Sequence, residues 1–116
     1  MREVAIHKAV ADFLSLALKP PAFWTTFPAG GGGRFRGAEL KRLGLKAGMP
    51  DLIIIHDGKL FGIELKAPNK YPSPEQRAIH QRLREAGVPV FIARSVVEVQ
   101  LACETWAIPL RAAVAA

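Results

Sequence analysis

The apolar positions of this chain follow two periods, one helical and one extended. Near the N-terminus, apolar residues recur at a spacing of four, three and four, which places them on one face of a helix. They are Ile6, Val10, Phe13 and Ala17. Residues 2–19 are therefore predicted to form a helix, which Pro20 and Pro21 end.

Extended patterns predict four strands. Residues 52–56 and 59–66 flank Asp57-Gly58, a dipeptide favoured in two-residue type I′ turns, and so predict a β-hairpin. Residues 22–29 are rich in aromatic and β-branched side chains, and residues 88–93 are almost continuously apolar. Both segments are predicted to be further strands.

A second helix is predicted between the hairpin and the last strand. It begins at Ser73, with Pro74 in the first turn and Gln76 completing a capping box, and Gly87 ends it. Its predicted apolar face consists of Ile79, Leu83 and Ala86. This helix would be the crossover between two parallel strands, which places its N-terminus near the carboxyl end of the preceding strand.

The remaining segments carry weaker patterns. A short helix is predicted over residues 38–43 with Gly44 as its cap, and a final helix over residues 95–106. The glycines at 30–33 are predicted to form a mobile loop. The alanine-rich tail is expected to fray.

The hairpin register determines where the charged residues fall. With Asp57-Gly58 as the loop, Asp51 lies directly opposite Glu64. Directly opposed residues share a sheet face, with Cβ atoms about 4.5–5.5 Å apart. Lys66, two residues beyond Glu64, faces the same way. Apolar residues on both faces of the hairpin predict a sheet covered on both sides, with these charges at one rim.

Two opposed carboxylates destabilise a sheet unless something offsets their repulsion. A divalent cation would do so, and Mg²⁺ prefers oxygen ligands of this kind. The chain has one cysteine and no closely spaced histidines, which argues against a zinc cage. The alternative is that Asp51 and Glu64 lie at solvated strand ends and that Lys66 forms a surface ion pair.

Two further residues lie on helix faces that point toward this rim. Gln76 precedes the apolar face of its helix by three residues, and its alternative role is the capping box alone. Glu3 continues the apolar face of the first helix, and its alternative role is to favour the helix dipole.

Composition limits the class of protein. The chain has 116 residues, half of them apolar, which suits a single folded domain over residues 1–116. No apolar run approaches the roughly 20 residues that a membrane span needs. A single cysteine excludes an intrachain disulfide, and we expect a cytoplasmic protein.

The net charge of +6 is concentrated in one segment. Its basic residues, opposed only by Glu39, are Arg34, Arg36, Lys41, Arg42 and Lys46. Such clustering favours a polyanionic partner, and in particular nucleic acid, over a merely basic and soluble domain.

Four elements, taken in order, resemble a known family. They are Glu3, Gly48-Met49-Pro50-Asp51, Glu64-Leu65-Lys66 and Ser73-Pro74-Glu75-Gln76. This order is similar to that of the VRR-NUC (virus-type replication-repair nuclease) branch of the PD-(D/E)XK nucleases. The resemblance implies an α/β fold with a restriction-endonuclease-like core. That core has a helix, three antiparallel strands, a crossover helix and a fourth strand parallel to the third, in a mixed sheet flanked by helices.

The resemblance also implies an activity, the metal-dependent hydrolysis of phosphodiester bonds in DNA. Asp51, Glu64 and the main-chain carbonyl of Leu65 would bind Mg²⁺ or Mn²⁺. Lys66 would orient or help deprotonate the attacking water, with Glu3 and Gln76 as supporting residues. Stand-alone members are linked to homodimers that act on branched DNA such as four-way junctions, in a bacterial or phage-infected cell.

Two other functions stay open at this point. The first is a non-catalytic nucleic-acid-binding module that keeps the nuclease fold. The second is a sequence-specific restriction-type endonuclease, although so short a chain leaves no room for a separate recognition domain. In each case, the basic residues from Arg34 to Lys46 would contact flanking phosphates.

Overall fold

The fold alternates helices with the strands of one sheet. A computed structural model of the chain describes residues 2–27 and 33–114, without the side chains of residues 33–36. Its elements in chain order are α1 (Glu3–Ala17), β1 (Phe23–Thr26), α2 (Gly33–Arg42), β2 (Leu52–His56), β3 (Lys59–Leu65), α3 (Pro74–Glu85), β4 (Val90–Ala93) and α4 (Val96–Thr105). None of the described helices combines the length and the apolar character that a membrane span requires.

The sheet has the predicted mixed topology. Its strand order is β1-β2-β3-β4, with antiparallel pairing among the first three strands and parallel pairing between β3 and β4. The crossover from β3 to β4 runs through α3. The prediction of an α/β fold with a mixed sheet flanked by helices is therefore confirmed.

The turn at Asp57-Gly58 fixes the hairpin register as predicted. Both residues have positive φ, 52° and 73°, as a type I′ turn requires. The register pairs Ile55 with Leu60 and Ile53 with Gly62. One residue more or less in this turn would exchange the two faces of the strand.

The core lies between one sheet face and the helices α1 and α4. The predicted face of α1 is buried, with Leu14 in addition. Ile54 and Ile63 meet it from the sheet with no exposed surface. Full burial of each such side chain is worth roughly 1.5–3 kcal/mol, so this packing fixes the position of α1 against the sheet.

Among the described residues, the opposite sheet face is covered by Pro50 over Gly62 and by α3 near the end of β3. There, α3 packs over Glu64. At the turn end, Ile55 is 37% exposed and its neighbour Phe23 in β1 is 60% exposed. The expectation of a sheet covered on both sides is therefore wrong at the turn end, because α3 covers only the rim end of this face.

Two other expectations also differ from the structure. Helix α2 is longer than the short helix predicted over residues 38–43 and begins at Gly33, which was expected in the loop; residues 30–32 lie outside the described part. The tail does not fray before residue 114. Arg111 N–H donates to the Ala17 carbonyl at 2.7 Å and Val114 N–H to Gln100 Oε1 at 2.6 Å. These bonds tie the tail to α1 and α4.

Candidate active site

Asp51 is held at the rim by hydrogen bonds to two neighbouring strands. Its carbonyl accepts from Phe27 N–H at 3.0 Å, and its Oδ2 accepts from Leu65 N–H at 2.7 Å. Continuing the hairpin register by one pair places Asp51 opposite Glu64. The carboxylate of Asp51 is therefore fixed across the end of β3.

The segment before Asp51 is packed tightly between α3 and β3. Gly48 has φ +92°, and a Cβ there would lie 2.8 Å from the Glu75 carbonyl oxygen. Pro50 is buried against Gly62, and a Cβ added to Gly62 would lie 2.9 Å from the Cγ of Pro50. Glycine at position 48 thus allows the segment to approach the first turn of α3, and the segment carries Asp51 to the site.

Glu64 is a buried carboxyl group, with 1% of its surface exposed. Burial raises its pKa, the negative charge of Asp51 and a hydrogen bond with that carboxyl raise it further, and the pKa reaches about 8 although Lys66 opposes the shift. Without a cation, Glu64 therefore holds a proton at neutral pH.

Gln76 joins the start of α3 to the site. Its Oε1 accepts from Ser73 N–H at 2.9 Å, and Ser73 Oγ accepts from Gln76 N–H at 3.1 Å, which completes the predicted capping box. Its Nε2 donates to Glu64 Oε2 at 3.1 Å. One end of the Gln76 amide thus completes the capping box, and the other contacts the carboxyl group of Glu64.

Lys66 lies between the carboxyl groups of Glu64 and Glu3. Its Nζ is 3.7 Å from Glu64 Oε2 and 3.9 Å from Glu3 Oε1. The Lys66 side chain is 12% exposed, whereas that of Glu3 is 47% exposed. These contacts bring the first turn of α1 to the rim and restrict the ammonium group to the site.

His80 is a site residue that the sequence analysis missed. The residues of the predicted apolar face of α3 are not fully buried. The buried residue of this helix is instead His80, one turn after Gln76. Its Nε2 lies 3.4 Å from Glu64 Oε1, and neither atom has a hydrogen-bond partner. The i, i+4 spacing from Gln76 was the available signal.

The environment of His80 favours its neutral form. Burial, followed by the positive charges of Arg84 and Lys66, lowers the pKa of His80 below its usual value, although Asp51 acts in the opposite direction. A neutral imidazole can still donate from Nε2 to a carboxylate.

The donor set suits a hard divalent cation. Among the described residues, no group of three or more His, Cys, Asp or Glu side chains converges as a complete metal cage would require. Mg²⁺ does not need one, since it keeps several waters and binds one or two carboxylates together with substrate phosphates. A bound cation would give the unpartnered Glu64 Oε1 a partner and would offset the repulsion between Glu64 and Asp51.

The basic segment reaches the site through one of its members. Lys46 is exposed and lines a cleft of about 280 Å³, which Asp51 and Gln76 also line. Lys41 and Arg42 are exposed at the C-terminal end of α2. The side chains of the other two predicted DNA-binding residues, Arg34 and Arg36, lie outside the described part.

Comparison with known proteins gives a family. A model of the VRR-NUC domain matches residues 34–97, more than half of the chain. A solved structure described as a VRR_NUC domain protein is similar, with 25% identity, a TM-score of 0.67, and coverage of 90% of this chain and 86% of that one. Another, described as a VRR_NUC domain, shares the fold at 23% identity and a TM-score of 0.60, covering 90% of this chain and 96% of that one. No curated protein matched. The chain therefore belongs to the VRR-NUC family of nuclease-type domains, as its motifs indicated.

Proposed function

We propose that residues 1–116 form a metal-dependent DNA endonuclease that hydrolyses phosphodiester bonds in branched DNA such as four-way junctions. The observation that carries this proposal is the buried carboxyl group of Glu64 beside Asp51, with the Lys66 ammonium 3.7 Å from Glu64. A domain that only binds DNA has no use for two adjacent carboxyl groups, which repel the phosphate backbone.

Asp51, Glu64 and the carbonyl of Leu65 would hold Mg²⁺, for which Mn²⁺ substitutes. When bound, the cation supplies Lewis-acid stabilisation of the negative charge that develops on the phosphate. Leu65 N–H holds Asp51 Oδ2, and Gln76 Nε2 holds Glu64 Oε2. These bonds orient both carboxylates before the ligand arrives, which reduces the cost of binding.

Lys66 would act on the attacking water and on the phosphate. As an ammonium, its Nζ would stabilise negative charge at the reacting phosphate and orient the water, whereas only its neutral amine form could accept a proton from that water. Glu3 and Glu64 keep this group at the site, since each places a carboxylate oxygen within 3.9 Å of it. Glu3 is thus a positioning residue in this proposal.

Phosphates on either side of the cut would meet the basic segment. Lys46 in the cleft, the exposed Lys41 and Arg42, and Arg34 and Arg36 would contact the DNA backbone without reading its sequence. Cutting both arms of a four-way junction needs two sites, and for that reason we propose a homodimer. Its proposed location is the cytoplasm of a bacterial or phage-infected cell. Light scattering of the protein as it elutes from a size-exclusion column should give twice the chain mass of 12.6 kDa.

The two alternatives make different predictions for the same site. A binding module would bind DNA in Mg²⁺ and Mn²⁺ without cutting it. A restriction-type enzyme would cut at one base sequence whatever the shape of the DNA. The buried carboxyl pair disfavours the module, because burial and repulsion both destabilise an ionised Glu64.

A cleavage panel tests the proposal. Labelled single-stranded, duplex, flap and four-way DNA are incubated with the protein in Mg²⁺ and in EDTA, beside the variant Asp51→Asn. We expect cutting at branched substrates in Mg²⁺ only, and its loss in the variant. Undiminished cutting by Asp51→Asn would exclude the assigned site, and binding of DNA without cutting in either metal would establish the module instead.

A further inference from the structure

The loop between β3 and α3 presents an exposed tyrosine at the rim of the site. Tyr71 is 73% exposed, whereas the next residue, Pro72, is buried and anchors the loop to the domain. The ring therefore projects from the surface on a chain segment that is itself tied down.

Two arginines fix the loop on either side of this ring. Arg94 Nη2 donates to the Lys70 carbonyl at 2.7 Å, and Arg77 Nη1 donates to the Pro72 carbonyl, also at 2.7 Å. The two carbonyls belong to the residues that flank Tyr71. Hydrogen bonds from a guanidinium are among the stronger ones in proteins, so the backbone that carries the ring is held at both neighbours.

Arg94 also contacts the ring itself. Its guanidinium carbon lies 5.2 Å from the centroid of the Tyr71 ring, within the range of a cation–π interaction. The contact already restricts the rotation of the ring, so less rotational freedom is lost when a partner binds. Tyr71 nevertheless stays mostly open to solvent. A planar partner could stack there at little conformational cost.

This pair lies at the same edge of the sheet as the proposed active site. Lys66 follows β3 and Arg94 follows β4, and Lys66 N–H donates to the Ala93 carbonyl at 3.0 Å across the two strands. Tyr71 comes five residues after Lys66, before α3 returns toward Glu64 through Gln76. Arg94 against the ring, and Arg77 bonded to the carbonyl of Pro72, are basic, which suits a phosphate backbone.

We propose that Tyr71, held by Arg94, is a stacking platform for an unpaired base of the DNA substrate close to the phosphate that is cut. This inference rests on the proposed nuclease function and adds a reason for preferring branched DNA. A base in a fully paired duplex has both faces covered by its neighbours, whereas a base at a branch or in a flap can leave the stack.

The test measures DNA binding in EDTA, where the proposed activity is silent. The first ligand is a flap DNA that carries 2-aminopurine at its first unpaired position. The fluorescence of 2-aminopurine falls when the base stacks. The second ligand is a fully paired duplex of equal length. The variants are Tyr71→Ala and Tyr71→Trp. Phe23→Ala is the matched control, since Phe23 is also exposed but lies at the turn end of the sheet.

We expect Tyr71→Ala to weaken flap binding about tenfold and abolish the fluorescence change, with duplex binding unchanged. Tyr71→Trp should keep both signals, and Phe23→Ala should match the unaltered protein. Equal flap binding and equal quenching by Tyr71→Ala would overturn the platform while leaving the nuclease proposal intact, and so would an equal loss on both ligands. A failure of the unaltered protein to bind any of these DNAs would overturn the proposed function, and the platform with it.

Discussion

Glu64 shows at the scale of one residue how a destabilising arrangement can serve binding. Its carboxyl is buried next to Asp51, and its pKa is raised to about 8. The opposed carboxylates were predicted to repel each other, and the raised pKa of Glu64 implies that a proton on this group relieves the repulsion at neutral pH. A cation would have to displace that proton.

The pH dependence of stability follows from this shift. Between 4.5, the usual pKa of Glu64, and about 8, the folded chain keeps a proton that the unfolded chain has lost. The free energy of unfolding in EDTA should therefore fall as pH rises through this window. Glu64→Gln removes the titration, so its Tm relative to the unaltered protein should rise by more than about 5 °C between pH 5 and pH 9. A difference that does not change with pH would contradict the shift.

Gln76 allows its two roles to be separated. Gln76→Glu keeps an acceptor for the capping box but loses the N–H that reaches Glu64 and adds a carboxylate there. We expect cleavage to fall about 10- to 100-fold with Tm nearly unchanged at pH 6. Ser73→Ala should do the reverse, costing about 1 kcal/mol of stability with cleavage retained. Full activity of Gln76→Glu would show that the cap is its only role.

His80 provides a third test at this scale. Once Glu64 is ionised, His80 Nε2, 3.4 Å away, could donate to its Oε1, an atom without a hydrogen-bond partner among the described residues. His80→Leu should weaken Mg²⁺ binding by about 10- to 100-fold in calorimetry, without loss of Tm in EDTA. His80→Gln, which keeps a donor at similar reach, should bind Mg²⁺ nearly as the unaltered protein does. Equal affinities for all three proteins would remove His80 from the site.

At the scale of elements, the site depends on how closely two segments approach. The segment 48–51 carries Asp51, and the first turn of α3 carries Gln76. They meet where Gly48 leaves no space for a side chain. Neither segment forms the site alone, because Asp51 accepts from Leu65 N–H at the end of β3, whereas Gln76 donates to the carboxyl group of Glu64.

Two glycines separate backbone strain from this contact. Gly48 and Gly87 have nearly equal φ, +92° and +93°, but a Cβ at Gly87 would meet nothing within 4 Å. Gly87→Ala should cost about 1–2 kcal/mol through its conformation alone. Gly48→Ala should cost about 1–3 kcal/mol more in denaturant unfolding, because it also presses on α3, and should lower cleavage. Equal costs would mean that the segment can move away from α3.

At the scale of the whole molecule, the basic side chains differ in how near they lie to the proposed site. Lys46, Lys66 and Arg94 lie at the rim, whereas Lys59 lies beside the turn at the other end of the strands. A polyanion that lies across the rim would meet the first group and not Lys59. The positions of these lysines therefore predict which of them influence DNA binding.

The salt dependence of binding measures this directly. Affinity for DNA in EDTA should fall steeply with salt, and Lys46→Gln should reduce the slope of log K against log salt by about one. Lys59→Gln, an exposed lysine away from the cleft, should leave the slope unchanged. Equal slopes for the two variants would contradict the assignment of the DNA to the cleft.

Local patterns predicted the hairpin and the helix start because short-range physics decides both. The two residues at Asp57-Gly58 permit few turn types, and the turn then fixes every pair back to Asp51. Likewise, Ser73 and Gln76 satisfy the first N–H groups of α3 by themselves. The neighbourhood of the two carboxyl groups follows from such local rules, whereas the family was indicated by the resemblance of four motifs to a known one.

The rotation of α3 about its axis was not predictable in this way. The pattern favoured Ile79 as the inward residue, but the structure buries His80, which lies against Glu64 of the sheet. The contact of Lys66 with Glu3 is likewise decided by how α1 packs on the sheet. The sequence by itself determined the elements, their register and the carboxyl pair. Only the tertiary structure decided which side chains surround that pair, because burial and charge there depend on segments far apart in the chain.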